Sequence, residues 1–367
     1  MRRVFFHVQH LLGIGHIRRA AVLARTLAAS GFDVLLVSGG APLRLDTGGA
    51  RLHQLPPLRA RDAGLRELSR LDGAPIDDAF KTARTRELLD LLRAEAPDVL
   101  ITEQVPFGRT QLRFELLPLL QAAQARRPKP LIVSSVRDVV RRSVSPQRVQ
   151  ETIDLLQRFD LVLIHGDPKL IGFDRSFAGW ETIRDRALYT GYVADAGAPS
   201  GNAGKDEVIV SVGGGAVGRP LIEAAAAARG RSVLADRTWR LLGAASATTS
   251  ADGVVAEPAR ADFTTLLRNA ALSISQAGYN TVVETLACAD RAVLVPFGTA
   301  RETEQTDRAT WLAERGLVTC LPGDALSADT LAAAVDRAMQ APSIRGCPPC
   351  DLTGAATTAS LLHQRLA

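Results

Sequence analysis

VFFHVQHLLGIGHIRRAAVLARTLAASGFDVLLVS, residues 4–38, runs without interruption from one apolar segment through a glycine turn to another. Residues 4–8 are apolar and rich in strand-forming types. Residues 17–27 repeat Ile, Ala and Leu at the spacing of one helical face. Gly31 then ends that pattern, and residues 33–38 form a second apolar run. The order predicts a βαβ unit, in which a helix connects two parallel strands.

The same order of strand, turn and helix recurs along the chain. The apolar runs are continuous rather than alternating, as expected for strands of a parallel sheet with helices on both faces. Further strands are predicted at 98–102, 131–134, 161–164, 207–212, 238–242, 272–274 and 292–296, with helices at 80–94 and 114–125, from Pro220, from Asn280 and at 303–314.

A break in composition divides the chain in two. Residues 194–206, ADAGAPSGNAGKD, are small, polar and rich in glycine, which is typical of a linker. A chain of 367 residues is long enough for two domains with separate cores. We therefore expect an α/β protein with two doubly wound, Rossmann-like domains facing a central cleft. Their predicted bounds are 1–195 and 205–345. Residues 346–367 are predicted to form a tail helix that could pack on either domain, including back on the first.

The composition limits the class of protein. The chain is 46% hydrophobic and 23% charged, and no segment approaches the ~18 apolar residues of a membrane span. The amino-terminal segment lacks the pattern of a signal peptide, so we expect a cytoplasmic protein. The four cysteines are too few for a disulfide framework. Cys347 and Cys350 have no second pair with which to form a zinc site, so we predict neither a metal nor a redox role for them.

The net charge of +5 suits an anionic partner such as a nucleotide or a phospholipid surface. The arginines are spread along the chain rather than gathered into one basic run, so nucleic acid is not a predicted partner.

Glycines follow the first strand of the second half. In parallel sheets, ligands bind beyond the carboxyl ends of the strands. Gly213, Gly214 and Gly215 lie between a strand and the helix at Pro220, which predicts a phosphate site at a helix amino terminus. With Gly218 they also match the dinucleotide fingerprint, and Asp236 lies near the distance of a ribose-binding acid. Asp236 precedes its strand instead of ending it, which disfavours a nicotinamide site.

Two further stretches follow strands and begin helices. Asn280 and Thr281 can cap a helix or bind an anion. Glu284 has two interpretations, the second member of a Thr-x-x-Glu capping box or a carboxylate that accepts ribose hydroxyls. Glu304 and Gln305 can contact sugar hydroxyls, or they are ordinary residues of a first helical turn.

His16 begins a helix at the carboxyl end of the first strand, next to Gly13 and Gly15. An imidazole there can take a proton from a hydroxyl at neutral pH. Glu103, after the strand at 98–102, is the second candidate for this base. Arg137 and His165, also at strand ends, are candidates to line an acceptor site.

These residues together resemble a known family. The glycine loop at 213–215, SQAGYNTVVETLA at 275–287 and VPFGTARETEQTDRA at 295–309 look like the nucleotide-sugar domain of MurG-type glycosyltransferases. The sequence GIGH at 13–16 is similar to their amino-terminal glycine loop, although the glycine run is shorter here. The resemblance implies the GT-B fold over nearly the whole chain.

The resemblance also implies roles by position. Glu284 would bind the donor ribose, and Glu304 and Gln305 would contact the donor sugar. The loop at 213–215 would hold the diphosphate together with Gly278, Tyr279, Asn280 and Thr281. Because the resembled enzymes use UDP-sugars, a UDP-sugar is the expected donor. The Ala-Gly-Tyr-Asn run before Thr281 departs from the family pattern, which leaves the donor sugar and the acceptor open.

The expected function is an inverting hexosyl transfer from a nucleotide-sugar to an acceptor hydroxyl, in the synthesis of cell-surface polysaccharide or glycolipid. No Asp-x-Asp sequence occurs, so we expect no metal and no other cofactor. A lipid-linked or glycan acceptor and peripheral contact with the inner face of the membrane remain open. The alternatives are a nucleotide-sugar hydrolase or epimerase of the same fold, a nucleotide-sugar sensor without catalytic activity, and, more distantly, an NAD(P)-binding oxidoreductase.

Overall fold

The chain divides into two compact units. The computed structural model describes residues 1–11, 13–61, 67–142, 145–195, 201–212, 218–243, 252–298, 303–345 and 350–367. The amino-terminal unit comprises residues 1–168, 172–193 and 353–367, and the carboxyl-terminal unit comprises residues 169–171 and 194–352.

The amino-terminal unit is built on a parallel sheet of seven strands, in the order β3-β2-β1-β6-β7-β8-β9. A separate antiparallel pair, β4 and β5, lies outside it. The strands are β1 (Arg3–Val8), β2 (Asp33–Ser38), β3 (Arg51–Gln54), β4 (Leu58–Ala60), β5 (Leu68–Arg70), β6 (Val99–Glu103), β7 (Leu131–Arg137), β8 (Leu161–His165) and β9 (Ala187–Tyr189). The helices are α1 (Gly15–Ala29), α2 (Asp78–Glu95), α3 (Arg113–Ala125) and α4 (Pro146–Leu156).

Two apolar cores cover the two faces of this sheet, as the continuous apolar strands predict. On β1, Phe5 belongs to one core and Phe6 to the other, since successive side chains point to opposite faces. The strand order reverses between β1 and β6. The loops that follow these two strands therefore diverge and leave a crevice, where doubly wound sheets bind their ligands.

The carboxyl-terminal unit repeats this design with a parallel sheet of six strands, in the order β12-β11-β10-β13-β14-β15. Its order reverses between β10 and β13, so its ligand crevice is expected there. The strands are β10 (Val208–Ser211), β11 (Trp239–Leu242), β12 (Val254–Glu257), β13 (Leu272–Ser275), β14 (Ala292–Leu294) and β15 (Thr319–Cys320). The helices are α5 (Arg219–Ala228), α6 (Phe263–Asn269), α7 (Tyr279–Cys288), α8 (Glu304–Ala313) and α9 (Ala328–Gln340).

The chain ends in helix α10 (Gly354–Leu366), which belongs to the amino-terminal unit. Leu362 is fully buried in the same core as α1, and His363 stacks on Phe32 with ring centroids 4.3 Å apart. The close approach at Gly354 requires a glycine, because a Cβ there would lie 2.4 Å from the carbonyl oxygen of Gly191. Val193 and Thr353, both in the amino-terminal unit, also form an antiparallel β-bridge.

Candidate active site

His16 and Glu103 meet at the crevice of the amino-terminal sheet. His16 lies in the first turn of α1, which follows β1, and Glu103 is the last residue of β6. The Nδ1 atom of His16 lies 2.9 Å from Oε1 of Glu103. The His16 side chain is 12% exposed and the Glu103 side chain is fully buried. Arg19, one turn further along α1, donates to the same carboxylate oxygen, so a cation balances the buried charge.

A series of hydrogen bonds holds the second carboxylate oxygen of Glu103. The hydroxyl of Ser135 on β7 donates to Oε2 of Glu103 at 2.7 Å. The Oγ atom of Ser135 also lies 2.9 Å from Nε2 of His165, the last residue of β8. The Nδ1 atom of His165 lies 2.9 Å from Oγ1 of Thr190, directly after β9. The carboxyl ends of β6 to β9 therefore form one polar network.

The structure corrects the predicted place of His165. Its side chain is fully buried and bonded on both ring nitrogens, so it supports Glu103 instead of lining an acceptor site. Burial and then the charge of Arg19 hold the pKa of His165 well below its usual range, so the ring is neutral. Arg137, the other candidate, is half-buried beside His16.

The partners of His16 assign its tautomer. A carboxylate only accepts hydrogen bonds, so Nδ1, which faces Glu103, carries the proton. The Nε2 atom then holds the lone pair, and Nη2 of Arg137 donates to it at 3.1 Å. This tautomer is the one required of a general base, because Nε2 is the nitrogen able to receive a proton.

The surroundings of His16 keep the ring neutral. Burial lowers the pKa of His16 well below its usual value of about 6.5, and the charges of Arg137, Arg109 and Arg19 lower that pKa further. The glycine loop before the helix leaves open space, since a Cβ on Gly13 would meet no described atom within 4 Å. Gly15 is the first residue of α1.

In the carboxyl-terminal unit, the predicted donor residues lie at the amino end of α7, which follows β13 at the second crevice. The helix begins at Tyr279 with Gly278 as its N-cap, and no side chain caps it. Thr281 is therefore the third helical residue, which excludes the capping-box interpretation of Thr281 and Glu284. Asn280, Thr281 and Glu284 are half-buried. Glu284 is four residues after Asn280 and three after Thr281, so it is a neighbour of each on the helix surface.

The backbone at Gly278 has a φ of −65°, which is ordinary for any residue. A Cβ on Gly278 would also meet no described atom within 4 Å. The turn does not require a glycine, and no described atom crowds the space beside Gly278 at the amino end of α7. That end carries the positive pole of the helix dipole, which favours a diphosphate.

The second predicted pair lies at the start of α8. The Oε1 atom of Gln305 accepts from the backbone N–H of Phe297 at 3.1 Å, which holds the loop after β14. The Oε1 atom of Glu304 accepts from Arg308 at 3.0 Å. Arg308 is fully buried, donates to the carbonyl of Ala277 at 2.9 Å and lies over the ring of Tyr279. Arg308 thus joins the start of α8 to the loop that precedes α7.

The predicted glycine loop at Gly213, Gly214 and Gly215 lies outside the described residues. Gly218, which follows it, packs so closely on Val212, the residue after β10, that a Cβ would lie 2.1 Å from that side chain. Pro220 lies in the first turn of α5 as predicted. Asp236 precedes β11 by three residues, so it does not end that strand as a ribose-binding acid of a nicotinamide site would.

Four polar residues of these sites were not singled out from the sequence. Arg19 and Arg308 face inward on helices, and Ser135 and Thr190 are small residues at strand ends. For Ser135 a signal did exist, since the carboxyl ends of neighbouring parallel strands lie side by side. For Arg308 the position one turn after Glu304 was the available signal.

In the part of the chain that the structure describes, no group of three potential ligands could hold a metal ion. No helix among those residues is long and apolar enough to cross a membrane.

Comparisons with known proteins define the class. Residues 252–345 match the carboxyl-terminal domain of glycosyltransferase family 28. No curated protein sequence matches the chain. Three solved structures share its fold. They are the kitacinnamycin glycosyltransferase (TM-score 0.65, 15% identity, 100% of this chain and 99% of that chain), MurG of Acinetobacter baumannii (0.61, 16%, 99% and 100%) and the spinosyn rhamnosyltransferase SpnG with thymidine diphosphate (0.64, 17%, 100% of both).

The chain therefore has the GT-B fold, and residues 252–345 of its carboxyl-terminal unit are similar to the carboxyl-terminal domain of glycosyltransferase family 28. These two findings support the predicted glycosyltransferase. The predicted fold class and the resemblance to MurG-type enzymes are confirmed.

Proposed function

We propose that the protein catalyses an inverting, metal-independent transfer of a hexose from a nucleoside diphosphate sugar to an acceptor hydroxyl, with His16 as the general base. One observation carries this proposal. The Nδ1 atom of His16 is held 2.9 Å from a buried carboxylate, so the ring is fixed in the tautomer whose Nε2 can accept a proton. General bases of this kind contribute about 10²- to 10⁴-fold to a rate.

The proposed step has a simple balance. The acceptor oxygen bonds to the anomeric carbon on the face opposite the leaving group. The bond between that carbon and the phosphate oxygen breaks, and its electron pair leaves with the nucleoside diphosphate. The hydroxyl proton moves to Nε2 of His16, while Glu103 stabilises the imidazolium through Nδ1. Configuration at the anomeric carbon inverts, because one displacement has occurred.

The donor roles are those that the MurG-type resemblance implies, and the geometry of the carboxyl-terminal unit supports them. The positive pole of the helix dipole at the amino end of α7 favours the diphosphate, whose charge grows as the bond breaks. Glu284 lies one and a half turns further along the same helix as a ribose ligand. Glu304, held by the buried Arg308, is a ligand for the donor sugar. We retain the uridine nucleotide of the MurG-type resemblance as the expected donor, and thymidine diphosphate is the ligand in the SpnG structure.

The same base could activate water, so a nucleotide-sugar hydrolase is the second candidate. For the acceptor, the net charge of +5 favours an anionic or membrane-bound molecule, such as a lipid-linked glycan at the inner face of the membrane.

Calorimetric titration with UDP, TDP, GDP and NAD tests the donor assignment, with Glu284→Ala beside the wild type. We expect a uridine or thymidine nucleotide to bind and the variant to bind it at least tenfold more weakly. Binding of NAD alone, or of no nucleotide, would contradict the assignment. Treatment with a chelator tests the absence of a metal, and turnover should continue unchanged.

A further inference from the structure

Both ring nitrogens of His16 are occupied. Nδ1 faces Glu103, and Nε2 accepts from Nη2 of Arg137 at 3.1 Å. A guanidinium only donates hydrogen bonds and keeps its protons at any physiological pH. The lone pair that a general base needs is therefore engaged, and the ring as found takes no proton from water or from a hydroxyl.

This contact bears on the choice between transfer and hydrolysis. Water, abundant and small, is the competing nucleophile for any donor sugar. We propose that Arg137 selects transfer over hydrolysis, because its guanidinium covers the Nε2 lone pair of His16 until an acceptor hydroxyl replaces it. The inference rests on the proposed role of His16 as the base.

Water and an acceptor differ in the binding energy with which they can displace Arg137. When a water molecule displaces Arg137, one hydrogen bond to Nε2 forms and a comparable one, between the guanidinium and the ring, is broken. The exchange brings little net free energy. An acceptor carries many other contacts, and their binding energy can drive the displacement. Arg137 is the last residue of β7 and is half-buried on a long side chain, so it can leave the ring without disturbing the strand.

The other two cations near His16 contact groups other than its Nε2 atom. Arg19 is fully buried on Glu103, and Nε of Arg109 donates to the carbonyl of Gln9 at 2.8 Å. Of the three, Arg137 is the one that contacts Nε2. The charged and titratable groups around His16 are Glu103 from β6, Arg19 from α1, Arg109 from the loop after β6, Arg137 from β7 and His10 from the segment after β1.

Removing Arg137 therefore has two effects on His16. The lone pair opens to water, and the loss of one positive charge raises the pKa of the ring toward its usual value, since Arg137 is the largest of the charges that lower it. Both effects make Nε2 a better proton acceptor. Hydrolysis of the donor should gain most, because water needs no binding energy to reach an open lone pair.

The test measures release of nucleoside diphosphate from a panel of UDP- and TDP-hexoses without acceptor. We compare the wild type with Arg137→Met, Arg137→Lys and Arg141→Met, the last removing an exposed arginine four residues further on. The proposal predicts that Arg137→Met hydrolyses at least one donor about tenfold faster or more. Arg137→Lys retains a hydrogen-bond donor and a positive charge, so its hydrolysis rate should stay closer to that of the wild type. Arg141→Met should hydrolyse the donors at the wild-type rate.

Two results would separate the failure modes. An unchanged hydrolysis rate in Arg137→Met on every donor of the panel overturns the role of Arg137 and leaves His16 as the base. A raised rate that persists in the double variant His16→Ala, Arg137→Met shows that another group receives the proton, which overturns the proposed function as well. Loss of the raised rate in that double variant supports both. The pH profile of hydrolysis should also move its acidic limb to higher pH in Arg137→Met.

Discussion

Glu103 contacts His16 through one carboxylate oxygen and Ser135 through the other, at 2.9 Å and 2.7 Å. The carboxylate is therefore held by residues from α1, which follows the neighbouring strand β1, and from β7, the neighbour of β6 on the other side. A base oriented in this way depends on groups that never touch the substrate. The contribution of these supporting residues to the rate can therefore be measured by substitution.

Replacing Ser135 by alanine should lower kcat about 10- to 100-fold and leave KM within twofold, because losing an orienting partner of a functional group typically costs this much. The matched control is Ser134→Ala. Ser134 is also buried on β7, but its hydroxyl donates to the carbonyl of Val105 at 2.5 Å and not to Glu103. Each variant should lose about 1 kcal/mol of stability. Equal losses of kcat in the two variants would mean that Ser135 has only a structural role.

Arg308→Met should raise the KM for the donor about tenfold and lower stability by about 3 kcal/mol, because a buried cation that holds Glu304 and the loop before α7 is lost. The double variant Arg308→Met, Glu304→Met removes both charges. It should recover most of the stability, but not the affinity for the donor. Recovery of both would show that the pair stabilises the fold without contributing to donor binding.

His7 should make the fold sensitive to acid. Burial, and then the charges of Arg84 and Arg109, lower the pKa of His7 from 6.5 to about 3. Between these two values the unfolded chain binds a proton that the folded protein excludes. The free energy of unfolding therefore falls as the pH drops from about 6.5 to about 3, by up to about 5 kcal/mol from this group alone.

Urea unfolding across this pH range tests the role of His7, with His7→Asn as the comparison. The variant should lose stability less steeply toward low pH than the wild type. Parallel curves would contradict the assignment of acid sensitivity to His7.

The strands that the sequence predicted share a physical property with one another. They are the interior strands of the two large sheets, and they carry apolar runs because both of their faces are buried. These strands are β1, β2, β6, β7, β8, β10, β11, β13 and β14. The strands that were not predicted include the edge strands of the two large sheets, β3, β9, β12 and β15. An edge strand has a neighbour on one side and residues that are partly exposed. Arg51–Gln54 on β3 shows no continuous apolar signal for this reason, and the apolar run of β12 is only three residues long, Val254 to Ala256.

The site was predictable where a single position carries the chemistry. His16 follows a glycine pair at a strand end, and Glu103 ends a neighbouring strand, so both were candidates from sequence. Their pairing was not, because residues 87 positions apart meet only through the strand order β1-β6. Arg137 was noted as a candidate for the acceptor side, but its contact with Nε2 depends on a side-chain conformation that no spacing rule gives.

In the proposed mechanism, His16 receives the proton of the acceptor hydroxyl. The most direct measurement is the single-turnover consumption of a bound donor by wild type and His16→Ala, with the dissociation constant of the nucleotide measured beside it. The account predicts a rate at least a hundredfold lower, within the ~10²- to 10⁴-fold typical of a lost general base, and an unchanged dissociation constant. A rate within a few-fold of the wild type, with the donor bound equally well, would contradict it.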